Sequence, residues 1–212
     1  GIHRHRSPPE KVVSMRQAYL ECFSGISGDM FLGALIDAGV STILLEQTIE
    51  KLGLPAKLRI SRVDRSGISA TSVEVLVNGV PAEAAPHMDP SNDASEHAHA
   101  HAHSHSHEHA SASAPSSHQH EKPHSSHHGR TFAEIRHIIQ RASLSAHVAN
   151  TALRAFELLA AAEGKIHQKP PESVHFHEVG AVDAIVDIVC AAAGADALGI
   201  DKWICSPVNV GS

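Results

Sequence analysis

From Met15 the chain alternates short apolar runs with turn residues. QAYLECF is an apolar run that stops at Ser24 and Gly25, which predicts a strand. After GISGDM, the pattern MFLGALIDAGV puts Met30, Leu32, Leu35 and Ile36 at helical spacing and ends at Gly39. STILLEQTIEKLGL predicts a second helix, capped by Ser41, with Glu46 in its first turns. AKLRISRVDRSGISATSVEVLV alternates over two arms around Arg65, Ser66 and Gly67, the signature of a β-hairpin. Residues 15–80 are thus expected to form a strand-helix-helix-hairpin unit.

Residues 81–130 hold Pro, Ser, Ala, Asp and His but almost no large apolar side chain. Such a stretch cannot offset the entropy of ordering, so it predicts a disordered linker. Periodicity returns at Thr131. Glu134 lies three residues on, so FAEIRHIIQRAS begins with a capping box. An Ala-rich helix follows from Ser145 to about Gly164, its apolar face containing Val148, Leu153, Phe156, Leu159 and Ala160. A third helix is expected over Val179–Leu198, where Val182, Ile185, Val186 and Val189 form one stripe and Asp183 and Asp187 flank it. WICSPVNV closes the chain as a strand. The predicted class is α+β, with the first unit and a helical unit at 131–212 separated by the linker. Residues 1–14, GIHRHRSPPEKVVS, precede the first methionine at Met15 and are expected to be an unstructured extension.

Aromatics make up only 3% of 212 residues while apolar residues reach 42%, so the core must be aliphatic. The net charge is −6 and no dense Lys/Arg patch interrupts it, which argues against nucleic acid or an anionic membrane as partner. No apolar run approaches the roughly 20 residues that span a bilayer, and residues 1–14 lack the apolar segment of a signal peptide. Cys22, Cys190 and Cys205 lie far apart without a CxxC pair, so neither a disulfide framework nor a zinc knuckle is indicated, and a cytoplasmic setting is expected. Cys22 and Cys190 read as small buried apolar groups, and His137, His147 and His167 as surface residues.

The linker carries the most direct chemical signal. Histidine occupies every second position through His97, His99, His101, His103, His105, His107 and His109, and further histidines follow at His118, His120, His124, His127 and His128. Neutral imidazole is the commonest ligand for borderline divalent metals, so this run offers many overlapping chelate pairs. A catalytic metal needs ligands fixed by a supporting shell, which low-complexity sequence lacks. The tract therefore reads as a store or delivery arm, against the plain alternative of a solvated repeat expansion.

Two further motifs can carry chemistry. In ECFSGISGDM, a strand ends in a Gly-rich turn that opens a helix, an arrangement that presents bare N–H groups to an anion. Ser24, Gly25, Ser27, Gly28 and Asp29 form the candidate cofactor or cation turn; the competing reading is an ordinary tight turn with Asp29 as cap. In VHFHEVGAVDAIVDI, His175 and His177 project from one side if the segment is extended, with Phe176 turned to the core. Glu178, Asp183 and Asp187 can complete a site with nitrogen and oxygen donors or accept protons. The competing reading makes the aspartates a solvated helix face.

Taken together, ECFSGISGDMFLGALIDAGV and HFHEVGAVDAIVDIV, divided by a His-rich linker, resemble the LarC family of nickel-insertion proteins over Met15–Ser212 apart from the linker. The resemblance implies a nickel chelatase that installs Ni2+ into pyridinium-3,5-bisthiocarboxylic acid mononucleotide, the cofactor precursor of lactate racemase, using CTP with Mn2+ or Mg2+. Residue chemistry and motif position then assign nickel handling to His175, His177 and Asp187 with the linker histidines, orientation or proton transfer to Glu178 and Asp183, and phosphate or cation binding to the Ser24–Asp29 turn. Implied partners are the mononucleotide, CTP, a separately encoded C-terminal half and the lactate racemase apoprotein. Family members continue beyond VNVGS into a further domain, so full activity is expected to need that part; Glu21 stands where an aspartate is frequent. The competing class is a His-rich nickel store or metallochaperone that catalyses nothing.

Overall fold

In the computed structural model, residues 15–65, 67–82, 129–176 and 179–208 are described. The strands are β1 (Gln17–Leu20), β2 (Ala56–Arg65), β3 (Ile68–Val77), β4 (Val80–Pro81) and β5 (Lys202–Cys205). The helices are α1 (Gly28–Asp37), α2 (Thr42–Leu52), α3 (Phe132–Arg141), α4 (Ala146–His167) and α5 (Val182–Leu198). The α+β class follows directly.

The long hairpin forms where the alternation places it, with Arg65 opposite Ile68 and Ala56 opposite Val77. Asn78 and Gly79 both adopt positive φ (54° and 84°), the backbone that a two-residue Asn-Gly hairpin turn demands. That turn folds β4 back onto β3, Val77 facing Val80, and so extends strand pairing to Pro81, where the alternation by itself had marked the start of the linker. β1 and β5 are the ends of the described chain brought together as a parallel pair, Gln17 opposite Lys202 and Leu20 opposite Cys205. The Arg16 N–H donates to Asp201 at 2.7 Å, and the Arg16 guanidinium donates to the Leu198 carbonyl at 2.8 Å, closing the C-terminal end of α5.

The hydrophobic residues gather in two clusters, and α5 belongs to both. Ile185, Val189, Ala192 and Ala193 join α3, α4 and the 174–176 segment; Val186 and Cys190 join α1, α2 and the hairpin. A helix apolar around most of its circumference is a central helix, which is why the single stripe expected from its spacing understates its burial. α5 starts at Val182 rather than Val179, because residues 179–180 form the turn before it.

α1 and α5 run in the same direction and nearly touch. A Cβ on Gly28 would lie 2.2 Å from Asp187 Oδ2, and one on Gly194 would lie 2.9 Å from Leu35 Cδ1. The pairs 28/187 and 35/194 thus advance together along the two helices. On its other side α1 approaches β3 so closely that a Cβ on Gly33 would be 2.3 Å from the Thr71 carbonyl. Asp37, at the end of α1, accepts from the Thr71 N–H (2.9 Å) and hydroxyl (2.7 Å) and pairs with Arg62. Of the four residues read at helical spacing, Met30 is 59% exposed; Leu32, Gly33 and Leu35 are the buried positions of α1. No helix among the described residues is long and apolar enough to cross a membrane.

Candidate functional site

The Gly-rich turn is built at the carboxyl end of β1. Gly25 takes φ of 84° and donates its N–H to the Cys22 carbonyl at 3.0 Å, turning the chain towards α1. Ser27, rather than Asp29, is the N-cap, and its hydroxyl donates to the Asp29 carboxylate instead of receiving a backbone N–H. Ser24 and Ser27 are exposed, and Asp29 is half-buried in the first turn.

The second motif reaches this turn through α5. Asp183 lies in the first turn of α5, half-buried, and Asp187 follows one turn later with its Oδ2 packed on the Cα of Gly28. Asp187 Oδ1 is shut off from solvent. Asp187 is therefore no member of a solvated stripe. Two segments roughly 160 residues apart place the carboxylates of Asp29 and Asp187 and the Ser27 hydroxyl around the start of one helix, which favours negative charge. Their donors are all oxygen, the choice of a hard divalent cation.

The segment leading into α5 is held by the residues that follow the linker. The Phe132 N–H donates to the Val174 carbonyl (3.2 Å) and the Phe176 N–H to the Arg130 carbonyl (3.0 Å), so Thr131 and His175 face one another as an antiparallel bridge. The Arg130 guanidinium donates to the Gly180 carbonyl at 2.9 Å. Gly180 is fixed in kind, since a Cβ there would stand 2.4 Å from the Arg130 nitrogen. Along this extended segment Val174 and Phe176 are buried and His175 is exposed, Phe176 lying against Phe156 with ring centroids 6.3 Å apart. The alternation expected for His175 and Phe176 is present. His177 and Glu178 lie outside the described residues, as do His97, His99, His101, His103, His105, His107 and His109.

Thr131 and Glu134 form the capping box: the Thr131 hydroxyl accepts from the Glu134 N–H, and Glu134 accepts from the Thr131 N–H at 2.7 Å. The Thr131 N–H and hydroxyl hold the Glu134 carboxyl below its ordinary range, helped by the charges of His175 and Arg130. An ionised carboxylate thus stands near His175. Sequence reading treated Glu134 as a cap alone; the strand bridge that gives it this second neighbour joins residues 44 apart and left no local signal. Among the described residues no three His, Cys, Asp or Glu side chains gather as a ready metal site.

Comparison with known proteins gives this geometry a context. Residues 18–212 match the family described as Nickel insertion protein. The chain belongs to that family. It is 39% identical over 199 residues to a Geobacillus kaustophilus protein named pyridinium-3,5-bisthiocarboxylic acid mononucleotide nickel insertion protein, covering 93% of this chain and 39% of the relative. Proteins of the same name from Thermotoga sp. strain RQ2 and Akkermansia muciniphila are 39% and 36% identical, covering 93% of this chain in each case and 41% and 40% of the relatives. The chain thus spans about two fifths of the length of the relatives it matches. No solved structure matches it. For a nickel insertion family member, the packing of Asp187 on Gly28 joins the two motifs that carry the family resemblance.

Proposed function

We propose that this chain forms the first part of a nickel chelatase that installs Ni2+ into pyridinium-3,5-bisthiocarboxylic acid mononucleotide, the precursor of the nickel-pincer cofactor of lactate racemase. Family membership and the printed names of the relatives support the reading. The observation that supports particular residues is the seating of Asp187 on Gly28, which brings ECFSGISGDM next to the helix that continues HFHEVGAVD.

The reaction requires aquated nickel to shed water and meet two thiocarboxylate sulfurs and a ring carbon, and that carbon must lose its proton. Imidazole binds nickel without the permanence of a thiolate cage, so His175 and His177 hold the ion during transfer. Glu178 and Asp183, next along the chain, orient the ring or take the carbon-bound proton. The linker histidines His97–His109 collect nickel, and the linker ends at Arg130, which is hydrogen-bonded to the very segment that bears His175.

The donors around the start of α1 fit Mn2+ or Mg2+: Ser24, Ser27, Asp29 and Asp187 offer oxygen only. With Asp187 already seated there, the turn suits the cation better than a bare phosphate. A cation held there supplies positive charge to a phosphate-bearing substrate. CTP is a poor match to the groove between α2 and β2. The groove between α2 and β2, about 310 Å3, is lined by Glu46 and Glu50 with Lys57 alone opposing them, a balance that repels a triphosphate. CTP is therefore assigned to the part of the relatives beyond the matched region, as is the full activity. The apoprotein of lactate racemase is the recipient of the product.

The test is incubation of nickel, CTP, Mg2+ and the thiolated pyridinium nucleotide with this chain, alone and together with the remaining part of a relative. Formation of the metalated nucleotide that falls at least tenfold on replacing His175 and His177 by Ala supports the chelatase. Nickel binding without any metalated nucleotide, even with the second part present, would instead identify a His-rich store or metallochaperone, the reading that the His97–His109 run favours.

A further inference from the structure

The parallel pairing of β1 with β5 has a chemical consequence at its carboxyl end. Cys22 and Cys205, 183 residues apart, meet with their sulfurs 3.6 Å from each other. Cys22 is buried and Cys205 is exposed, so the pair is reachable from one side only. Its backbone is fixed: the Cys22 N–H donates to the Ser206 hydroxyl at 2.7 Å, and the Ser206 N–H donates to the Leu20 carbonyl at 2.9 Å.

We propose that Cys22 and Cys205 form a two-thiolate site for a borderline or soft divalent cation, with Ni2+ as its natural probe. The spacing supports it. Two metal–sulfur bonds of about 2.3 Å meeting at a tetrahedral angle put their sulfurs roughly 3.8 Å apart, and a right angle puts them roughly 3.3 Å apart. The observed separation lies between these, so a bound ion asks for little movement. Binding breaks two S–H bonds, forms two metal–sulfur bonds and releases two protons, with no change of oxidation state. Two protein ligands leave the remaining coordination positions open, which suits an ion in exchange rather than a structural one. Cys190 is different in kind: it is buried with its thiol pushed up to about 12, and its sulfur lies 3.7 Å from the Leu45 carbonyl.

The site is independent of the chelatase reading, because it is assayed without nucleotide. The full 212-residue chain, kept reduced with a phosphine, is titrated with Ni2+ while near-ultraviolet thiolate-to-nickel absorption is followed, a signal that imidazole and carboxylate do not give. The expected result is a band that saturates at one equivalent in the chain lacking His97–His109, with two protons released per ion, and that in the full chain appears alongside nickel taken up by the linker histidines. It is lost in Cys205→Ser and Cys22→Ser and retained in Cys190→Ala and in a chain lacking His97–His109. Cys205 is exposed, so Cys205→Ser keeps the fold, checked by circular dichroism, and a negative result there is not an unfolding artefact. Absence of the band while a thiol assay counts three free cysteines, or its persistence in Cys205→Ser, overturns the proposal.

Discussion

Asp187 Oδ2 lies where the side chain of residue 28 would begin, 2.2 Å from an ideal Cβ on Gly28. Glycine at the first position of α1 is thereby a packing requirement as well as a turn preference, and the carboxylate and the helix are positioned by each other.

Gly28→Ala is expected to destabilise the chain by about 1–3 kcal/mol, the usual cost of forcing an extra methyl into a packed contact. Adding Asp187→Ala removes the carboxylate but keeps the Asp187 Cβ, 2.5 Å from the same position, so the double variant should recover only part of the loss, a coupling readable by denaturant unfolding. Gly33→Ala serves as the contrast. Its methyl meets the Thr71 backbone, and Asp187→Ala should give no relief there.

Phe176 and His175 are sequence neighbours with opposite predicted effects. Phe176 is 2% exposed and packs on Phe156, so Phe176→Ala should cost about 3–5 kcal/mol. His175→Ala should stay within about 0.5 kcal/mol, since the side chain is exposed. If His175 handles nickel, the second variant lowers metal transfer while thermal unfolding barely moves.

Acid should destabilise the fold through identifiable carboxylates. Hydrogen bonds from the Thr71 backbone and hydroxyl hold the Asp37 carboxyl below its ordinary value, the Thr131 N–H and hydroxyl do the same for Glu134, and Arg59 does so for Glu74. A carboxyl whose folded value is depressed binds its proton more readily in the unfolded chain. It contributes stability above the ordinary carboxylate range and loses that contribution as pH falls towards the folded value. Stability measured from pH 7 downward should therefore decline through the carboxylate range, and Asp37→Asn should flatten that decline while lowering stability at neutral pH.

Removing His97–His109 should reduce the number of nickel ions bound, as followed by calorimetric titration. The far-ultraviolet circular dichroism of the remainder should stay the same, because the helices and strands of the described residues are held by hydrophobic clusters drawn from residues 31–77, 132–160 and 174–198. At limiting nickel, metalation should slow; at saturating nickel it should return to the parent rate.

Local pattern was enough for most elements. The hairpin about residues 65–68, the capping box at Thr131 and Glu134, and the burial of Cys22 and Cys190 all follow from spacing and side-chain chemistry that act within a few residues. β4 has its local signal in Asn78-Gly79, a turn dipeptide rather than an alternation of apolar and polar positions. Met30 shows the need to read spacing strictly: it stands two, five and six positions from Leu32, Leu35 and Ile36, off their i, i+3, i+4 stripe, and is 59% exposed.

What the sequence by itself determined was the α+β class, the family resemblance and the residue types available for metal chemistry, since each is written in contiguous runs. The tertiary structure alone decided that Asp187 sits on Gly28, that Glu134 stands near His175, and that Cys22 meets Cys205. Each of these joins residues tens to nearly two hundred positions apart. The physical reason is that such pairs are set by how α5 packs between two hydrophobic clusters, by the bridge of Thr131 to His175 and by the parallel pairing of β1 with β5. All three are global outcomes of burial and hydrogen bonding that leave no periodic trace in the neighbourhood of either partner.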